Sequence, residues 1–522
     1  MSIQITRFFA ISALCASFGC TSNGTDACTG VSWPSLSGSV SFVSASCGSS
    51  DGDGSRSSPF AAIGDALVAA PSGTTVAVAA GTYAESLKVP AGVSVVGIGS
   101  TLVHIAPSSD VGIAIESAGA SRIEGLTISG AKGSGIRISK AAAILVNIVV
   151  ENTVAGAVGT SGNGITADGA ASIDVQGSKI ANNAGIGIAV TGSGKVAIID
   201  PVFSADPLKM PRGKDSVGII DPVFTPQSAI ANNAMGGIAI IDPVFLPKAD
   251  GNNTDALSIK STDIRDNTKW GVHLVGAGAT IERSAVRGTK KPAAGEGGDG
   301  IWLEIGARKD APVPNFLVDA GTFISGNGRA GLLLETDVIA EIASELSLNG
   351  RCGLWAEGAK TVVHIGPAAL FGQNTMIGAA ITEGAMVKVE GATFSNAVAL
   401  KYTPANGASV DLADGIGIYD KARGSITGAK FIGNKRVAVL ARDPEFKADG
   451  TPSVLVTNCT ISGSKYGVVI HSTTNSKQAG VASAAPSNSY ADVTTETDDT
   501  DLPAQTSLCD YTQGEKCDPP KP

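Results

Sequence analysis

The stretch ISGNGRAGLLLETDVIAEIASELSLNGRCGLWAE, from Ile324 to Glu357, states one short pattern twice. With Φ for an apolar residue, the pattern is Φxx-N-xxx-G-Φ-x-Φ. Its first copy is Ile324, Asn327, Gly331, Leu332 and Leu334, and its second is Leu346, Asn349, Gly353, Leu354 and Ala356. The spacing is 353 − 331 = 22 residues. A unit this short cannot bury its own apolar face and must stack on its neighbours, so the chain reads as a solenoid. Apolar residues at +1 and +3 after each Gly share one face of a strand, because side chains alternate with period two. Asn four residues before the Gly suits a left-handed turn, and stacked Asn side chains can bond from rung to rung.

The same spacing recurs along most of the chain. It is met by Val149, Asn152, Gly156; Ile180, Asn183, Gly187; Ile230, Asn233, Gly237; Ile264, Asn267, Gly271; and Phe371, Asn374, Gly378. Phe431 and Asn434 follow it with Ala438 in the place of Gly. Composition agrees: 522 residues, 43% hydrophobic, with 66 Gly and only 5% aromatics, suit stacked tight turns better than a bulky core. The net charge of −9 and the lack of a Lys/Arg cluster argue against nucleic acid as a partner.

Residues 1–20 carry one basic residue, Arg7, then the apolar run Phe8 to Phe18, then Gly19-Cys20. The run is too short to span a membrane and reads as a signal peptide. Its Gly-Cys end resembles a bacterial lipoprotein signal, which implies lipidation of Cys20 and a membrane anchor there, at the outer membrane or cell surface. Cleavage near Ala16, giving a secreted or periplasmic product, is the alternative. Export permits disulfides. Cys28 and Cys47, flanking a Ser/Gly-rich linker at 21–50, form one candidate pair, and Cys509 with Cys517 in the tail form another. Cys352 and Cys459 fall within the repeats and read as buried thiols.

From Asp51 the repeats begin. Ser58-Pro59 reads as a helix start that places Phe60, Ile63 and Leu67 on one face, followed by strands at 75–79, 86–89 and 93–96. This opening, with Gly-Asp-Gly-Ser, Pro-Phe, Gly81-Thr82-Tyr83 and Gly97-Ile98-Gly99, resembles the N-terminal cap of right-handed parallel β-helix proteins of the pectin-lyase-like superfamily. The resemblance implies an all-β solenoid over residues 51–472 with an N-terminal helical cap. It implies no single activity, since the superfamily holds lyases, hydrolases, epimerases and adhesins. Residues 473–522 read as a low-complexity tail.

Two features carry possible chemistry. Ile-Ile-Asp-Pro-Val-Phe occurs at 198–203, 219–224 and 240–245, a 21-residue interval that reads as one rung and stacks Asp200, Asp221 and Asp242. Three stacked carboxylates could share Ca²⁺, but the preferred reading is Asp-Pro turns over a Phe core, with the copies arising by duplication and no cofactor. On the strands after Gly300, Gly331 and Gly353, the outward +2 places hold Trp302, Leu333 and Trp355, and the +4 places hold Glu304, Glu335 and Glu357. His273 holds +2 on the preceding Gly271 strand. Trp rings beside carboxylates can hold a sugar, with Trp302, Trp355 and His273 as binding residues, and a carboxylate ladder can raise one pKa toward general acid catalysis. Equally, insertions at 285–299 and 403–414 can fold over these strands and bury the rings as a satellite core.

A basic row at −2, Lys269, Arg329, Arg351, Arg436 and Lys465, reads as a solvated face. Asp299-Gly300-Ile301 and Asp414-Gly415-Ile416 are similar to the Asp-Gly strand on which polygalacturonases carry a catalytic Asp, but the Asn-Thr, Asp-Asp, Gly-His-Gly and Arg-Ile-Lys elements of that family are missing. The sequence thus leads to an exported, lipid-anchored envelope protein that binds a polysaccharide or a surface partner without catalysis. A polysaccharide lyase or glycoside hydrolase, and a structural stalk or adhesin, remain as alternatives.

Overall fold

The computed structural model describes residues 28–504, except 117, 157–161, 170, 193–194, 200–227, 242–255, 294, 305, 307–312, 336, 404–408, 449–450, 474–484 and 500. Cys20, Asp200, Asp221, Asp242, Cys509 and Cys517 lie outside the described residues. The chain winds through three long parallel sheets, and along most of its length each strand pairs with the strand three places later in the sequence. One turn reads Ile339–Ile342 in the first sheet, Glu345–Ser347 in the second and Cys352–Glu357 in the third, before Val362–Ile365 rejoins the first. This is a parallel β-helix. Its crossovers take the right-handed sense that parallel connections require.

The Φ-N-G pattern has a direct physical basis. Leu332 pairs in register with Leu354, and Leu334 with Ala356, and all four are fully buried in the interior. The Φ residues stack likewise inside the second sheet, where the Phe371, Phe394 and Phe431 rings lie 4.7 and 5.1 Å apart in near-parallel planes. Between them runs a buried asparagine ladder. Asn349 Oδ1 accepts from Asn327 N–H at 3.1 Å and Asn327 Nδ2 at 3.0 Å, while Asn349 in turn donates to Asn374 Oδ1 at 3.1 and 3.0 Å. Asn183, Asn233 and Asn267 repeat the arrangement. The Gly four residues on is required by closeness: a Cβ at Gly331 would sit 2.7 Å from both Asn349 Nδ2 and Gly353 O.

The left-handed residue is the one before the ladder Asn. Asn182, Asn232, Asp266, Leu348 and Gln373 have φ between 52° and 58°, and the Asn that follows each keeps its side chain turned inward. In the earlier Val149 turn, Asn152 is therefore the left-handed residue at φ 56°, and Thr153 takes the ladder place, donating its backbone N–H to Asn183 Oδ1 at 3.3 Å and its hydroxyl at 3.0 Å.

Several boundaries differ from the sequence reading. The helix spans Ile63–Ala69, so Ser58-Pro59 does not start it, and Phe60 instead bridges to Val43 and Ser49. Its first N–H groups find no acceptor at Ala62; they are met by Glu85, whose carboxylate accepts from Ile63 N at 2.9 Å and Gly64 N at 2.7 Å. A remote carboxylate serves as the cap, which local sequence rules cannot foresee. The stretch at 21–50 contains a strand, Val40–Val43, that pairs with Thr75–Val78, and a Cys28–Cys47 disulfide. Beyond residue 472 the sheets continue through Ser489–Ala491 and Thr495–Asp498. The repeated Ile-Ile-Asp-Pro-Val-Phe copies do not all fall on one face: Ile198 pairs with Ile259 in the first sheet, whereas Ile240 pairs with Leu274 in the third. The copy at 219–224 lies outside the described residues.

Replacing Asn349 by Leu leaves two buried donors of Asn327 without their acceptor. The expected loss is about 3 kcal/mol, read as a lower urea midpoint, whereas Lys360→Ala, at an exposed residue, shifts it by less than about 0.5 kcal/mol.

Candidate functional site

The outer face of the third sheet gathers the residues of interest on four neighbouring strands, Trp270–Val275, Asp299–Glu304, Ala330–Glu335 and Cys352–Glu357. Register places His273, Trp302, Leu333 and Trp355 in one row and Val275, Glu304, Glu335 and Glu357 in the next. The inward positions between them are filled by Ile301, Leu303, Leu332, Leu334, Leu354 and Ala356, so the rigid interior dictates the spacing outside. Successive carboxylates are thus about 4.8 Å apart at the backbone.

The Trp rings are not an open platform. Trp302 is 8% and Trp355 1% exposed, and both belong to a second apolar cluster with Trp270, Leu333, Cys352, Met376 and Leu440 on the outside of the sheet. What reaches the surface is the carboxylate row, each member half-buried. The indoles orient it: Trp302 Nε1 donates to Glu335 Oε2 at 2.8 Å, and Trp355 Nε1 to Glu357 Oε2 at 3.2 Å. His273 stacks on Trp302 at 4.6 Å, and its Nε2 donates to Glu304 Oε2 at 2.6 Å.

Burial pushes the Glu335 carboxyl up to about 8, with the nearby Glu357 charge adding to the effect against Trp302 and Arg329. Burial also lifts Glu357 to about 6, helped by the charge of Glu383. At neutral pH the row therefore presents a proton donor at Glu335 beside an ionised acceptor at Glu357. Among the described residues, no group of three or more His, Cys, Asp or Glu is arranged to hold a metal ion.

The basic row is solvated only in part: Lys465 is exposed and Lys269 and Arg436 are partly buried, but the two middle arginines are buried. Arg329 is 4% and Arg351 7% exposed. Arg329 grips Asp299 through Nε at 2.9 Å and Nη2 at 2.6 Å, lies 3.5 Å from Glu296, and sits under the Trp302 ring at 6.0 Å. Arg436 and Asp414 repeat the pair. The two Asp-Gly strands thus use their aspartates to hold an arginine of the next rung. Each Asp ends an insertion, so the pair clamps that insertion to the sheet. An Asp before the rung Gly matched to an Arg two before the next rung residue is the sequence signal that was open to reading. The buried thiols stand as expected, with Cys352 and Cys459 unpaired in disulfide terms and Cys352 pushed up by burial.

With this geometry in hand, the class of protein is plain: it is a right-handed parallel β-helix protein. Residues 99–204 match the family model described as "Right handed beta helix region", and residues 46–101 match "Protein of unknown function (DUF1565)". Comparison with curated proteins gives no match. Among solved structures the chain is similar to pectate lyase Pel9A, at 12% identity over 68% of this chain and 78% of that one, with a TM-score of 0.39. It is also similar to the Azotobacter vinelandii mannuronan C-5 epimerase AlgE6 A-module, at 12% identity over 85% and 94%, with a TM-score of 0.31. Likenesses of this size carry no activity to this chain.

Two outcomes check the site. Folding takes up a proton on Glu335 between its ordinary value of 4.5 and about 8, so stability falls as pH rises through that window. The urea midpoint is expected to correspond to about 2–4 kcal/mol less stability at about pH 9 than at about pH 4 from this group, and Glu335→Gln flattens the slope. Arg329→Met strands the fully buried Asp299 and costs about 3–5 kcal/mol, while Arg329→Met with Asp299→Leu recovers most of it.

Proposed function

We propose that the protein is an exported, lipid-anchored envelope protein whose rod binds a glycan of the cell surface, without catalysis, along Glu304, Glu335 and Glu357. The observation that carries the reading is the in-register carboxylate row, in which a protonated Glu335 stands beside an ionised Glu357 on a rigid sheet. A donor and an acceptor one rung apart match the paired hydroxyls of an uncharged sugar. Trp302, Trp355 and His273 support the row from beneath. The Cys28–Cys47 disulfide supports export, because such bonds persist in oxidising compartments. It lies 28 − 20 = 8 residues after Cys20, within a short tether of the proposed lipid.

A second reading, glycoside hydrolysis, is favoured by the same pair. Retaining hydrolases set an acid of raised pKa about 5 Å from an ionised carboxylate, and the rung spacing is similar. In this reading Glu335 protonates the leaving oxygen and Glu357 attacks.

A glycan-array screen of the mature chain, with reducing-end and unsaturated-product assays on each hit, tests both. Binding that falls at least about tenfold in Glu335→Gln and Glu357→Gln, with no product, supports the binder. Turnover abolished by either change replaces it with the hydrolase. A folded protein that binds no glycan leaves a structural stalk or adhesin.

A further inference from the structure

The outer apolar cluster continues down the third sheet to its last rungs, where Val437, Leu440 and Val469 face outward on Val437–Arg442 and Tyr466–His471. Among the described residues this face is covered by the chain just after Thr495–Asp498: Leu502 and Ala504 join the cluster, Asp501 Oδ1 accepts from Arg442 Nε at 3.1 Å, and Arg436 Nη1 donates to Pro503 O at 2.6 Å. His471 Nδ1 lies 2.8 Å from Asp499 O, and its Nε2 is 3.8 Å from Asp501.

We propose that Asp499 and Asp501–Ala504 form a detachable strap, and that the arginine-edged apolar face beneath it accepts the same segment from a second copy of this chain. The strap differs from every rung above it in how it is held. Among the described residues it makes no ladder of backbone hydrogen bonds and is held by two arginine contacts, a histidine contact and the apolar anchors Leu502 and Ala504, and Asp501 is 53% exposed. A segment so held opens by local unfolding while the rod stays folded. The uncovered face keeps its specificity. Arg442 still requires a carboxylate, Arg436 still requires a carbonyl, and the cluster still requires an apolar residue between them, so the segment Asp501-Leu502-Pro503-Ala504 of another copy meets the same partners. Exchange of an identical terminal element costs little beyond association. Salt screens the half-exposed Arg442–Asp501 pair and so favours the open state.

The test uses the mature full-length chain. Hydrogen exchange is compared at residues 436–442, 466–471 and 499–504 for the native chain, Asp501→Lys, and Asp501→Lys with Arg442→Asp. Expected is at least tenfold faster exchange confined to these segments in Asp501→Lys, with unchanged far-ultraviolet circular dichroism, and restored protection in the reversed pair. Sedimentation after concentration in about 1 M salt and return to low salt is expected to show dimer for the native chain and monomer only for Asp501→Lys. Protection unchanged in Asp501→Lys overturns the strap. A native chain that remains monomeric, with the strap opening as expected, overturns the exchange.

Discussion

The interaction on which this molecule depends is the buried amide ladder in the turn between the second and third sheets. The central Asn of each run, Asn233 and Asn349, accepts two hydrogen bonds from the rung before and gives two to the rung after. A lone turn could not keep such a group, because a buried amide without partners costs more than its packing returns. The ladder therefore selects for neighbours that carry the same residue at the same place. It also holds the strands in register, since any slip would unpair every Asn along the run. Gly at the start of the next strand follows from the same contact, as no Cβ fits between the amide and the neighbouring carbonyl.

Register inside the rod is what gives the outside its chemistry. Glu304, Glu335 and Glu357 come from three separate turns and lie together only because Leu303, Leu334 and Ala356 stack behind them. The covering of the same face by apolar side chains then changes what those carboxylates are. A glutamate on a bare strand end would remain an ordinary acid. Set among Trp302, Trp355 and Leu333, Glu335 is desolvated enough to keep its proton at neutral pH, and the indole N–H groups hold the row in one orientation. The aromatic residues thus act on the surface chemistry from below it.

Charge on this face follows a second logic. Arg329 is buried and Arg436 largely so, a placement tolerable only because Asp299 and Asp414 meet them in forked geometry. Each aspartate stands where an insertion re-enters the sheet, so the same bond that neutralises the arginine holds the insertion down. Toward the far end of the rod, Asp501 and Pro503 of the strap are held to Arg442 and Arg436 by looser contacts.

The sequence by itself determined the solenoid. The spacing of Φ, Asn and Gly between Ile324 and Glu357 is a local consequence of one turn stacking on the next, so its recurrence specifies strand, turn and facing, including which of Leu332 to Glu335 point inward. It also placed the three glutamates and two tryptophans in neighbouring rows. Tertiary structure alone decided what those rows became. Whether Trp302 stood in solvent or in an outer core depended on what folded over it, and whether Arg329 was solvated depended on an aspartate thirty residues earlier. The helix at Ile63 likewise waited on Glu85 for its cap. Periodicity records interactions between equivalent residues on adjacent turns; burial, ion pairing and proton affinity are set by inequivalent residues brought together only by the finished coil.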